Sequence, residues 1–133
     1  MKNVRGYIFS RPFMGERVPQ HVQNLVIRDY CNRNKLKFLL SVSEYSMENC
    51  YLILNGAVNE LIKKEVAGIA AYSVFQMPED DTKRREIFSR IIKLKKTIHF
   101  SVEGLSLSNE EDKKKIENIW TVKKNLPFCP SKI

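Results

Sequence analysis

Gly6-Tyr7-Ile8-Phe9-Ser10-Arg11-Pro12-Phe13-Met14-Gly15-Glu16-Arg17-Val18 is the stretch on which the fold turns. A short apolar run breaks at Ser10-Arg11-Pro12, and a loop containing Gly15 leads into a helix that opens near Pro19. The reading is strand, loop, helix. In an open α/β sheet, ligands bind beyond the carboxyl ends of the strands, so Ser10 and Arg11 stand where binding chemistry is usually found.

The same alternation of short apolar runs with helical spacing continues outward from this start. The first strand covers about Val4 to Phe9, and the helix after it about Pro19 to Arg33, with Val22, Leu25, Val26 and Tyr30 at 3–4 spacing. Lys37 to Val42 reads as a second strand, and Ser46 is placed to cap a helix whose stripe is Cys50, Leu54, Ala57, Val58, Leu61 and Ile62. Gly68 to Phe75 is almost wholly apolar, as a strand covered on both faces should be. Asp80-Asp81 supply a negative start to a third helix. Lys96 to Val102 is a fourth strand, and Ser108 with Glu111 forms a capping box for a helix containing Ile116, Ile119 and Trp120, stopped by Asn125 and Pro127. The expected architecture is a small open parallel α/β sheet of about four strands, in the order 2-1-3-4, with helices on both faces and right-handed crossovers. Residues 1–126 form one domain and 127–133 a tail that packs on the body or on a second subunit.

With 133 residues, 43% of them hydrophobic and 29% charged, the chain has the composition of an ordinary globular domain. Its net charge of +8 raises nucleic acid or an anionic surface as partners. The basic residues, however, read as solvated faces of the later helices, among them Lys83, Arg84, Arg85, Lys93 and Lys113 to Lys115, interleaved with acids. Nucleic acid is therefore not expected as a partner, and a small anionic ligand is the better candidate. Cys31, Cys50 and Cys129 show neither a disulfide framework nor metal-ligand spacing. The chain opens without a signal peptide and holds no apolar run long enough for a membrane span, so a cytoplasmic location is expected.

Bringing strand ends together gives the candidate site. Ser10 and Arg11 after strand one meet Ser73 and Gln76 after strand three, with Glu103 alongside and His21 in the first turn of helix one. Arginine grips phosphate or carboxylate in bidentate fashion, while glutamate and glutamine suit sugar hydroxyls. Ser10 and Glu103 are the expected catalytic groups, and Arg11, Ser73, Gln76 and His21 the ligand-binding ones; the competing reading is that all of them cap nearby backbone. His99, within a strand, is read as a packed residue. No GxGxxG or P-loop is present, so no dinucleotide or other cofactor is expected, and no metal. No histidine accompanies Ser10 in a Ser-His-Asp pattern.

Three segments carry a resemblance: GYIFSRPFMGERVPQHVQN at the start, GIAAYSVFQMPED in the middle and HFSVEGL later. Over Gly6 to Leu105 the chain resembles the bacterial sporadic carbohydrate cluster proteins. That resemblance implies a place in lipopolysaccharide, capsule or glycan biosynthesis, with a sugar, sugar phosphate or nucleotide sugar as ligand, and supplies no reaction. A non-catalytic regulatory or scaffold role beside a glycan-pathway enzyme, docking through Phe128 and Trp120, is the alternative, and a homo-oligomer is expected. The layout is also similar to the catalytic domain of serine recombinases, through Gly6-Tyr7 and Ser10. It departs from that pattern where the arginine expected two residues before the serine is Ile8, and where Phe75-Gln76-Met77-Pro78 replaces an arginine-bearing segment. No long dimer helix or DNA-binding domain is expected beyond residue 125. The resemblance therefore implies a shared fold without recombination chemistry, and DNA binding through a recombinase-like body is the third reading, ranked below the other two.

Overall fold

A computed structural model describes residues 2–13, 15 and 17–124. The elements run β1 (Lys2–Phe9), α1 (Gln20–Arg33), β2 (Leu36–Glu44), α2 (Leu52–Glu60), β3 (Gly68–Ala71), a 3-10 turn (Val74–Gln76), α3 (Asp81–Lys93), β4 (Thr97–Phe100), β5 (Leu105–Leu107) and α4 (Glu110–Lys124). They build one five-stranded sheet in the order β2-β1-β3-β4-β5. All pairs are parallel except β4 with β5. The expected order of the first four strands is thus the observed one.

The fifth strand is a correction. Leu105-Ser106-Leu107 is too short to show an alternating pattern, but Gly104 (φ +66°) turns the chain back so that Leu107 pairs with Ile98. β3 is shorter than its apolar sequence suggests, because Ser73 caps the 3-10 turn by accepting from Phe75 N and so ends the strand. Asp80 caps α3 as expected, its Oδ2 accepting from Lys83 N. On α4 the capping box falls one residue later than Ser108 and Glu111: Asn109 accepts from Asp112 N, and Asp112 accepts in return from Ser108 N. Asn125, Pro127, Phe128 and the expected tail lie outside the described residues.

Side chains alternate along each strand and sort the helices into two unequal layers. Tyr7, Phe9, Ile69, Ala71, Ile98 and Phe100 point to one face, where α2, α3 and α4 cover them with Leu54, Val58, Phe88, Ile91, Ile116 and Trp120. Val4, Ile8 and Ala70 point to the other, under Ile27 and Cys31 of α1 alone. Two glycines allow the strands to approach. The register moves from Arg5–Leu39 to Tyr7–Val42, so β2 bulges opposite Gly6, where a Cβ would lie 2.2 Å from Ser41 Oγ. At Gly68 a Cβ would lie 2.1 Å from the Thr97 carbonyl oxygen, a backbone atom that cannot rotate away.

Candidate functional site

The carboxyl edge of the sheet is built around a carboxylate. Glu44 ends β2 with 2% of its surface exposed. Its Oε1 accepts from Tyr7 Oη (2.8 Å) and Leu54 N (3.0 Å), and its Oε2 accepts from Tyr45 N and Ile53 N, both at 3.1 Å. Two of these donors are free amides of the first turn of α2, so Glu44 takes the capping role that the sequence assigns to Ser46. Burial, and then the Glu44 charge, push the Tyr7 phenol far above its ordinary pKa.

Arg11 completes the same loop from the opposite polarity. Its Nη1 donates to the carbonyls of Tyr45 (2.7 Å), Met47 (2.9 Å) and Cys50 (3.0 Å). The guanidinium lies over the rings of Phe9 and Tyr51, 4.3 and 5.0 Å from their centroids. Only 7% of Arg11 is exposed, and its Nη2 is buried with no hydrogen-bond partner among the described residues. Such a donor costs free energy unless something accepts from it. Burial raises the Tyr51 pKa, and the neighbouring guanidinium opposes that rise.

Arg11 stands in the wall of an open cleft of about 330 Å³. Phe13, Tyr51 and Phe75 give it aromatic walls, Glu48, Asn49 and Glu79 give it acceptors, and Lys123 lies at its rim. Lys123 reaches Glu79 at 3.8 Å and lies over the Trp120 and Phe75 rings. The cleft has cations, carboxylates and ring faces within one small volume.

The other expected site residues surround this cleft without lining it. Ser10 Oγ donates to the Glu44 carbonyl at 2.9 Å. Glu103 accepts from Ser73 Oγ (2.8 Å) and Val74 N (2.9 Å), pinning the turn after β3 to the turn after β4. Gln76 Oε1 accepts from Tyr72 N, while its amide donates to Gln23 Oε1 at 2.8 Å. Gln23 in turn accepts from Phe9 N and donates to the carbonyls of Phe9 and Val18. The two glutamines thus clamp β1 to β3 where the strand order reverses. His21 is exposed in the first turn of α1 and is not among the residues that line the cleft. Trp120, expected on a docking face, is 1% exposed in the core; that expectation is corrected.

Sequence reasoning missed Glu44, Gln23 and Tyr51. The signal for Glu44 was there, an acid between a strand and a helix, but its wide bonding depends on where the loop from 45 to 51 folds back. Burial raises Cys31 to about 11, which leaves it a poor nucleophile. Among the described residues no group of His, Cys, Asp and Glu is placed to hold a metal ion, and no helix is long and apolar enough to cross a membrane.

No protein-family model matches the chain, nor does any curated protein sequence. The resemblance to carbohydrate cluster proteins is thus without support from these comparisons. Solved structures do match. A resolvase family site-specific recombinase from Streptococcus pneumoniae superposes with a TM-score of 0.64 at 7% identity, over 92% of this chain and 89% of that one. The N-terminal catalytic domain of TP901-1 integrase gives 0.55 at 13% identity, over 92% of this chain and 95% of that one. The fold is that of resolvase catalytic domains.

Proposed function

We propose that the carboxyl-edge cleft binds a small ligand that carries both a ring and an anionic group, of the class of sugar phosphates and nucleotide sugars. One observation carries the reading: Arg11 Nη2, buried and without a partner, belongs to a side chain in the wall of a cleft that otherwise offers aromatic faces and carboxylates. The Arg11 guanidinium would attract the phosphate, Lys123 would add a second positive charge, and Glu48 and Glu79 would accept from hydroxyl groups. The assignment to surface-carbohydrate biosynthesis rests on the sequence resemblance alone. If the site is catalytic, Ser10 and Glu103 act only after giving up their present partners; as placed, both serve the loops around the cleft.

A thermal-shift series tests the reading. Wild-type protein and Arg11→Lys are heated with sugar phosphates, nucleotide sugars and free nucleotides, since a ligand that binds only the folded state raises Tm. Lysine keeps the charge but lacks the second nitrogen. The expected result is a rise with one ligand class that disappears in the folded variant; no rise with any of them sinks the proposal.

A second reading has its own observation. Tyr45, Met47 and Leu52 are half or more exposed on the loop that Arg11 and Glu44 organise. A cluster of this kind suits a scaffold subunit that docks a partner enzyme beside the cleft. It predicts a stable complex and no small-molecule response.

A further inference from the structure

The sequence assigns the surplus positive charge to the later helices, but the fold concentrates a separate set of lysines that are scattered along the chain. Lys2 begins β1, Lys35 and Lys37 flank the start of β2, Lys63 and Lys64 lie in the connection into β3, and Lys95 precedes β4. In a parallel sheet all of these positions fall on one edge, the amino edge, opposite the cleft. None of the six forms an ion pair among the described residues, whereas Arg5, Arg84, Arg85 and Lys124 do. The acids near this edge are Asp29 and Glu60, which pair with Arg33 and Arg5, then Glu65, and the Glu110-Glu111-Asp112 start of α4 beyond β5, so the unpaired lysines run from β2 to β4.

Helix dipoles explain part of this, since α1, α2 and α3 all end at the amino edge and cations favour such ends. They do not explain Lys2 and Lys37, which are strand residues. Nor do they explain the backbone at Lys35 and Lys95, which hold φ of 57° and 59°. Glycine occupies that left-handed conformation without the roughly 1 kcal/mol or more that a side chain costs there. Two lysines kept at positions that favour glycine are charge held against the preference of the fold.

Part of this surface is concave. A groove of about 400 Å³ opens beneath the end of α1, with Lys2 and Lys35 on its walls and Thr97 and His99 of β4 also lining it. Four strand ends at about 4.8 Å spacing span about 14 Å, the axial length of about four phosphates on one strand of a duplex. Ile62 is the one large exposed apolar side chain adjoining this edge among the described residues, too little for insertion into a bilayer. Among the described residues no exposed aromatic ring stands there to stack an unpaired base. We propose that the amino edge of the sheet, with Lys2, Lys35, Lys37, Lys63, Lys64 and Lys95, is a sequence-independent docking surface for the phosphate backbone of duplex nucleic acid. It is independent of the cleft and requires no chemistry there.

The test is fluorescence anisotropy of a short labelled duplex over about 50 to 200 mM salt, with wild-type protein, Lys35→Gly/Lys95→Gly, and Lys114→Ala/Lys115→Ala as a charge-matched control on α4. The glycine variant removes two charges while relieving two left-handed backbones, so its Tm is expected to stay level or rise. Binding is expected to weaken steeply with salt. The log–log slope should become shallower by about 2 in the glycine variant, one for each lost phosphate contact, and remain unchanged in the control. Absence of duplex binding at low salt, equal slopes in wild type and glycine variant, or an equal loss in the control overturns the proposal. So does binding to phosphatidylserine vesicles with none to the duplex.

Discussion

At the carboxyl edge, Glu44, Arg11, Gln23, Gln76 and Glu103 each bond to the backbone of the loops they sit among. At the amino edge, Lys2, Lys37, Lys63 and Lys64 form no ion pair among the described residues, whereas Arg5 and Arg33 pair with Glu60 and Asp29. Lys96 is the exception, its Nζ donating to the carbonyls of Lys63 and Val66. Polar residues at one edge specify shape, and at the other they supply field. Arg11 Nη2, buried and without a partner among the described residues, marks spare capacity at the first edge, whereas the lysines of the second form no ion pair there.

The largest expected break in this contrast is Glu44→Ala. It strips Tyr7 Oη, Leu54 N and Ile53 N of their acceptor in a buried setting, and the loop from 45 to 51 loses its anchor. The cost should be about 3–4 kcal/mol, seen as a fall of roughly 10–15 °C in Tm. Urea unfolding gives the free energy directly. A cost under about 1 kcal/mol would mean that water replaces the carboxylate, and the carboxyl edge would not be the rigid partner of the pair.

How much of this was readable beforehand differs between the edges. The strand order, the capping of α3 by Asp80 and the meeting of the ends of β1 and β3 follow from periodicity and the handedness of crossovers, all of them local or general rules. Ser10, Arg11, Ser73, Gln76 and Glu103 were placed at the right edge by that logic. Which of them faces a cleft was not legible, because Ser10 and Glu103 each had an equally good backbone partner that only the folded loops bring near. The lysine edge was less legible still. Its members lie in separate connections, so a scan along the sequence sees single charges where the topology gathers them.

Gly68→Ala sharpens the comparison from the other side. It is the amino-edge residue on which the fold itself depends, since a Cβ there meets the Thr97 carbonyl at 2.1 Å and forces β3 from β4. The expected loss is about 2–3 kcal/mol, whereas Lys63→Ala beside it should be neutral within about 0.5 kcal/mol. Equal losses for the two would show that the lysines carry structural weight and would undo the distinction between the edges.

The smallest effect concerns His99, which lines the amino-edge groove with Lys2 and Lys35. Burial, with Lys2 adding to it, lowers its pKa to about 4. Tyr30 Oη lies 2.9 Å from Nδ1, in position to donate to the neutral ring. A histidine whose pKa is depressed on folding binds its proton more readily when unfolded, so its contribution is full above about pH 6.5 and is lost as the pH falls towards 4. The full shift would be worth up to about 3 kcal/mol, which partial exposure of the ring and screening reduce to about 1–2 kcal/mol. Unfolding curves for wild type and His99→Gln between pH 7 and pH 4 isolate this contribution from that of the carboxylates, which both proteins share. The wild type should lose stability faster over that window; parallel curves would show that His99 has the same pKa folded and unfolded, so that neither burial nor Lys2 disfavours its proton.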